Sequence, residues 1–275
     1  MSSYRYRFVG YEKLPSGMNA DDVQLHCRLP DELIREIRNS GYAKRYHLGL
    51  AVQLSFLALT GRNADAALKM PSAMLTMLCE QLGIHSTAIA SLKSLYSNAD
   101  RTISNHRAWV REQLLFSTYD SNAEARLQAA LSQQAIDASC VDDLLACAQE
   151  WLFGSRIVLP GQRVVLDLAR SAFQVVENLA LATIRAAVTP VRLRAVLKVM
   201  HEESPTPGIS LLEWLKQSAG KHGVKGLKEV NSRIDALKTL GVHLWDLQGL
   251  SIGRIHAFAQ AVVNRPPSET ARRIE

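Results

Sequence analysis

Residues 162–189 read QRVVLDLARSAFQVVENLALATIRAAVT, without a glycine or a proline. Leu, Ala, Arg and Gln, which make up much of the stretch, are strong helix formers. Val164, Leu168, Val175, Leu179, Ala182 and Ala186 recur at helical spacing, which predicts one buried face along a single helix. From 162 to about 188 such a helix spans about 40 Å. Upstream, residues 84–153 also lack glycine and proline. A β-protein needs turn residues roughly every 8–12 positions, so the chain reads as all-α, with at most short strands near residues 4–9 and 156–159.

Caps and breakers divide the rest. Leu29-Pro30-Asp31-Glu32 opens a short helix with acids in its first turn, where the helix dipole favours them. Residues 44–59 form an apolar helix closed by Gly61, and Pro71 opens another that ends at Gly83. Further helices follow over 86–95, 100–115 and 141–153. Ser121-Asn-Ala-Glu124 and Ser210-Leu-Leu-Glu213 have the capping-box pattern. Thr189-Pro190 opens one more helix, as does the run 224–240 with Leu227, Val230, Ile234 and Leu237 on one face. A last helix is expected over 252–263, and residues 268–275 begin another. The polar cluster at 117–122 is the best boundary between two closely joined helical domains, 1–118 and 119–275.

The 275 residues carry a net charge of +6. Residues 185–275 hold 14 of the 32 Lys and Arg but only 8 of the 26 Asp and Glu, so the whole excess lies there. A basic third of this kind suits a polyanionic partner. No window approaches about 18 consecutive apolar residues, which argues against a membrane span. The N-terminus lacks a signal-peptide pattern. Cys27, Cys79, Cys140 and Cys147 form no CxxC pair, and read as reduced, mostly buried thiols of a cytoplasmic protein.

Enzyme motifs are missing. Ala219-Gly-Lys-His-Gly223 lacks the upstream glycine and the Ser/Thr of a phosphate loop. No GxGxxG, HExxH or GxSxG occurs. His201-Glu202-Glu203 are adjacent, and neighbours on a helix point about 100° apart, so they rarely share a metal ion. Basic helical faces say more. On 100–115, Ile103, Val110 and Leu114 mark a buried stripe, with Ser104, Arg107 and Arg111 beside it and Arg101 and Asn105 further round. Guanidinium forks and amides read base edges and bind phosphates. The two short helices before it make a helix-turn-helix-like order. Lys221, Lys225 and Lys228 lie beside Gly220, Gly223 and Gly226. Ammonium groups suit phosphates.

Several stretches, in order along most of the chain, resemble the N-terminal region of Tn3-family transposases. In 45–62 the matching positions are Leu48, Gly49, Ala51, Gln53, Leu54, Leu57 and Gly61. Met70-Pro71 with Glu80-Gln81-Leu82-Gly83-Ile84 follow, then Arg101-Thr102 with His106. Ile157-Val-Leu-Pro160-Gly161, with Leu166, Leu168 and Ala169, resembles the family's LPG connector and long helix. Ser210-Leu211-Leu212 with Leu215, and Leu240-Gly241-Val242, complete the set. Residues 4–23 fit no pattern of the family. The resemblance implies a region that binds the terminal inverted repeats of a replicative transposon. It implies no cofactor here: the family's chemistry belongs to a later RNase H-like domain, whose two Asp and one Glu hold Mg²⁺ and which this chain is expected to lack.

The leading reading is sequence-specific binding of double-stranded DNA with no catalytic activity in this chain, in a cytoplasmic, nucleoid-associated protein that self-associates when full-length. The candidate DNA contacts are Arg45, Arg62, Arg101, Asn105, Arg107, Arg111, Gln162, Arg163, Lys221, Lys225 and Lys228. The competing reading is an α-helical protein-interaction scaffold. It predicts an exposed hydrophobic groove and no salt-sensitive affinity for DNA.

Overall fold

The computed structural model of the chain describes residues 7–65, 69–92, 94–96, 100–187, 190–202, 204–217, 223–241 and 253. Among them there is helix and no strand. The chain divides into two compact units, Met1–Phe173 and Gln174–Glu275. The cluster at 117–122 lies inside the first.

In unit 1 the helices are α1 (Ala20–His26), α2 (Asp31–Asn39), α3 (His47–Thr60), α4 (Ser72–Leu82), α5 (Ala88–Leu92), α6 (Asp100–Leu114), α7 (Ser121–Gln134) and α8 (Val141–Gly154). A single 3-10 turn, Lys44–Tyr46, leads into α3. α9 spans Gln162–Ala187, and the unit boundary falls within it. The residues of α9 after the boundary, α10 (Pro190–Met200), α11 (Leu211–Lys216) and α12 (Val224–Thr239) belong to unit 2. α1 begins in the segment, residues 4–23, whose sequence matched no pattern. Asn19 caps it by accepting from the Asp22 amide at 2.7 Å.

α3 is the central helix of unit 1. His47 to Leu57 are buried without interruption, and the helix packs against α2, α4, α5 and α6. Each fully buried Leu or Phe adds about 1.5–3 kcal/mol over an exposed one. Gly61 ends it at φ +72°, in the left-handed region that a Cβ disfavours. A Cβ there would also stand 2.5 Å from Leu159 Cδ1 and 3.0 Å from Phe153 Cδ2. So the connector after α8 rests directly on the end of α3, and the Leu159 amide donates to the Gly61 carbonyl at 2.8 Å.

Neither place where at most a short strand was expected holds one among the described residues, and two further expectations change. Residues 7–10 form a turn, and residues 4–6 lie outside the described residues. The connector near 156–159 makes one parallel bridge, Ser117 to Ile157, rather than a strand. It joins the ends of α6 and α8, which close on Leu115 and Arg156, both at φ +56°. The N-cap of α7 is Asp120, one residue before Ser121, because its carboxylate already accepts from the Ala123 amide at 2.7 Å. Of the cysteines, Cys27 and Cys79 are buried, but Cys140 is exposed at the start of α8 and Cys147 is half-buried.

The expected apolar stripe of α6 holds at Ile103 and Val110, which are buried, with Leu114 half-buried, and the stripes turn elsewhere. In α9 the buried positions are Val165, Ala169, Ala172 and Ala180, while Val175 and Leu179 are each 64% exposed. In α12 Gly226 and Arg233 are buried, and Leu227, Val230 and Ile234 face out. The helices expected over 252–263 and from 268 lie outside the described residues, apart from Gly253.

Candidate nucleic-acid interface

α6 is a polar helix held by few apolar groups: its buried residues are Ile103, His106 and Val110. Arg101, Ser104 and Asn105 are exposed, and their i, i+3, i+4 spacing puts them on one side. Arg111 is half-buried. Arg107 turns inward. Its Nη2 donates to the Ala64 carbonyl at 2.6 Å, and burial lowers its pKa against the pull of Tyr96 and Asp65. The expected row Ser104, Arg107 and Arg111 is thus divided: Arg107 anchors the helix to the loop ahead of α4. Between α5 and α6 residues 94–96 form a turn.

Behind that face is a polar cluster. His106 is wholly buried, with the ring centroids of Tyr42 at 4.4 Å, Tyr46 at 5.0 Å and Tyr96 at 5.5 Å, all edge-on. Gln53 Nε2 donates to Tyr96 Oη at 2.7 Å, and Tyr96 Oη lies 2.8 Å from His106 Nδ1. Desolvation lowers the His106 pKa and raises that of Tyr96. Both groups are therefore neutral at pH 7. Gln53 carries the one side-chain amide inside the apolar run HLGLAVQLSFLALT. A buried amide needs a partner, and that was the signal for this cluster; nothing in the sequence nominates Tyr96 as the partner.

The other candidates are scattered. Arg45 is exposed, stacked over the Tyr46 ring at 4.8 Å. Arg62 is expected on DNA but is 7% exposed. Its Nε donates to the Gly10 carbonyl at 2.9 Å and its Nη1 to the Pro160 carbonyl at 2.5 Å, so it serves as an internal tie. Gln162 and Arg163 are exposed in the first turn of α9, Arg163 Nε lying 3.8 Å from Asp167.

In unit 2, Lys225 and Lys228 are exposed three apart on α12, after Gly223 at φ +89°. Lys221 lies outside the described residues. Arg233 of the same helix is buried over the Trp214 ring and bonded to Glu229 and the Gln217 carbonyl. Among the described residues no three His, Cys, Asp or Glu gather as a metal site, and no helix is long and apolar enough to cross a membrane.

The chain is all-α among the described residues, with Arg101, Ser104 and Asn105 exposed on α6 and Lys225 and Lys228 exposed on α12. The family is shown by residues 9–172, which match the model described as domain of unknown function (DUF4158); the chain belongs to that family. The match ends within a residue of the unit 1 boundary at Phe173. The chain is also 29% identical, over 275 residues, to the transposase for insertion sequence element IS1071 in transposon Tn5271 of Comamonas testosteroni. The alignment covers 99% of this chain and 28% of that relative, so the chain spans little more than a quarter of the relative's length.

Proposed function

We propose that this chain is a sequence-specific binder of double-stranded DNA, the part of a Tn3-like transposase that recognises the terminal inverted repeats. The observation that carries the reading is the exposed Arg101, Ser104 and Asn105 face of α6 in a chain related to a transposase. In this reading Arg101, Asn105 and Arg111 meet base edges. Arg45, Gln162, Arg163, Lys221, Lys225 and Lys228 meet phosphates and set the docking. The DNA-cleaving chemistry and its Mg²⁺ belong to another part of the transposase, and binding by this chain needs no metal.

The test is enrichment from a randomised duplex pool, followed by titration of the enriched duplex and a scrambled one at two salt concentrations. A preference of about 10³-fold or more for the enriched duplex is expected, unchanged by EDTA. Equal affinity for both duplexes would overturn sequence specificity.

A scaffold for another protein is the second reading. It is favoured by the outward Val175, Leu179 and Leu227, each more than 60% exposed. It predicts a protein partner and no salt-dependent binding to either duplex.

A further inference from the structure

We propose that Gly49, Gln53, Tyr96 and His106 form a buried seat that fixes the rotation of α6 about its own axis, making them positioning residues for the Arg101, Ser104 and Asn105 face. The inference rests on the DNA-binding reading for what the face does, and on contacts alone for what holds it.

α6 has only two buried apolar side chains, Ile103 and Val110. Trp109 and Leu114 are half-buried beside them, Trp109 edge-on to Tyr42 at 6.3 Å, but apolar contact is non-directional and by itself permits the helix to roll. A roll of roughly 20° carries a side-chain tip about 2 Å round a helix of about 5–6 Å radius. That exceeds what a base hydrogen bond tolerates. Directional bonds are needed, and the seat supplies them on the inner side of the helix.

The donors follow in order. Gln53 Nε2–H donates to Tyr96 Oη. Tyr96 Oη lies 2.8 Å from His106 Nδ1, and a phenol has one proton of its own to give. In the proposed seat that proton goes to Nδ1 of the neutral imidazole, which then carries its own on Nε2. Nε2 has no hydrogen-bond acceptor among the described residues and sits in the shell of the Tyr42 and Tyr46 rings, whose π-faces are weak acceptors. The seat thus links α3, the connection before α6, and α6 itself.

Gly49 makes room for it. Gly49 and Gln53 are one turn apart on α3. A Cβ at 49 would stand 2.5 Å from Leu95 Cδ2 and 3.0 Å from Tyr96 Oη. Arg107, next in the chain to His106, adds a second directional anchor through the Ala64 carbonyl.

Tyr96→Phe removes one oxygen from the 275-residue chain and leaves the ring, so it is the deciding variant. His106→Leu deletes the acceptor, and His106→Asn restores one near the Nδ1 position. Two readouts apply: affinity for the enriched and the scrambled duplex, and amide hydrogen exchange resolved for α3 and α6. Tyr96→Phe should lose about tenfold on the enriched duplex, the size of one lost base contact. The scrambled duplex and the salt slope should not change. Exchange in α6 should quicken about tenfold while α3 stays protected, and His106→Asn should recover most of both losses relative to His106→Leu. If His106→Leu fails to fold, Tyr96→Phe still decides. Parental affinity and parental α6 exchange in Tyr96→Phe would overturn the seat, as would equal losses on both duplexes. If the parent itself prefers neither duplex, the DNA reading fails and the seat is judged on exchange alone: quickened α6 exchange supports it, and parental exchange overturns it.

Discussion

Arg62 shows how a charged side chain expected at a surface becomes a structural tie. Its guanidinium meets the carbonyls of Gly10 and Pro160, and desolvation lowers its pKa. Replacing it with Met keeps the apolar stem and leaves two carbonyls without their donor. A hydrogen bond to a charged group is worth about 1.5–3 kcal/mol, so Arg62→Met should cost about 3 kcal/mol, read from urea midpoints at constant slope. DNA affinity of the folded fraction should stay at the parental value; a drop would return Arg62 to the list of DNA contacts. His106 makes the second residue-level prediction. Burial lowers its folded pKa below the unfolded value of about 6.5. Between the two values the unfolded chain binds a proton that the folded chain does not, so lower pH favours unfolding. The stability is complete above about pH 6.5 and is lost as pH falls from there through the folded value. Urea midpoints measured at pH 7.5 and at pH 5 should differ in the parent and differ less in His106→Asn. An equal difference in both would assign the pH effect to other groups.

α6 and α12 should act on DNA in different ways. Arg101→Ala or Asn105→Ala should cost about 1–3 kcal/mol on the enriched duplex and relax specificity. The double replacement Lys225→Ala, Lys228→Ala should weaken both duplexes alike and reduce the slope of log affinity against log salt by about 1.8, at 0.9 per phosphate contact. A double variant with the parental slope would make these lysines an ordinary solvated face. The elements themselves were legible: Pro30 with the acids after it, the capping pattern at Ser210, glycine stops at Gly61 and Gly83, and breaker-free runs placed α2, α3, α4, α6, α8, α9, α11 and α12 within a few residues. The buried faces of α9 and α12 were not. A stripe drawn through the largest apolar side chains of α9 passes through Val164, Leu168, Val175 and Leu179. The buried side chains are instead Val165 and three alanines. In α12 an arginine went inside because an indole ring, a carboxylate and a carbonyl were waiting for it. Periodicity within one helix carries no information about such neighbours. The same gap hid the placement of Arg107, whose acceptor is a loop carbonyl 43 residues away.

The family match and the first compact unit end together, at 172 and 173, although α9 continues to Ala187. A chain cut after Ala187 keeps α2, α4, α5 and α6, which pack on α3. It should unfold in one cooperative transition by circular dichroism and retain its preference for the enriched duplex, while the salt slope falls with the loss of α12. Non-cooperative melting would mean that unit 1 depends on the remainder. Arg62 also sets a timetable for synthesis. Its two acceptors lie 52 residues before it and 98 residues after it. A ribosome adding about 5–20 residues per second needs roughly 5–20 s to extend from Arg62 to Pro160. Throughout that interval α3 and α4 can pair, but the end of α3 lacks the connector that will lie across Gly61. The emerging chain therefore holds an open, apolar helix end until residue 160 has cleared the exit tunnel, and it is in that interval that a chaperone has most to protect.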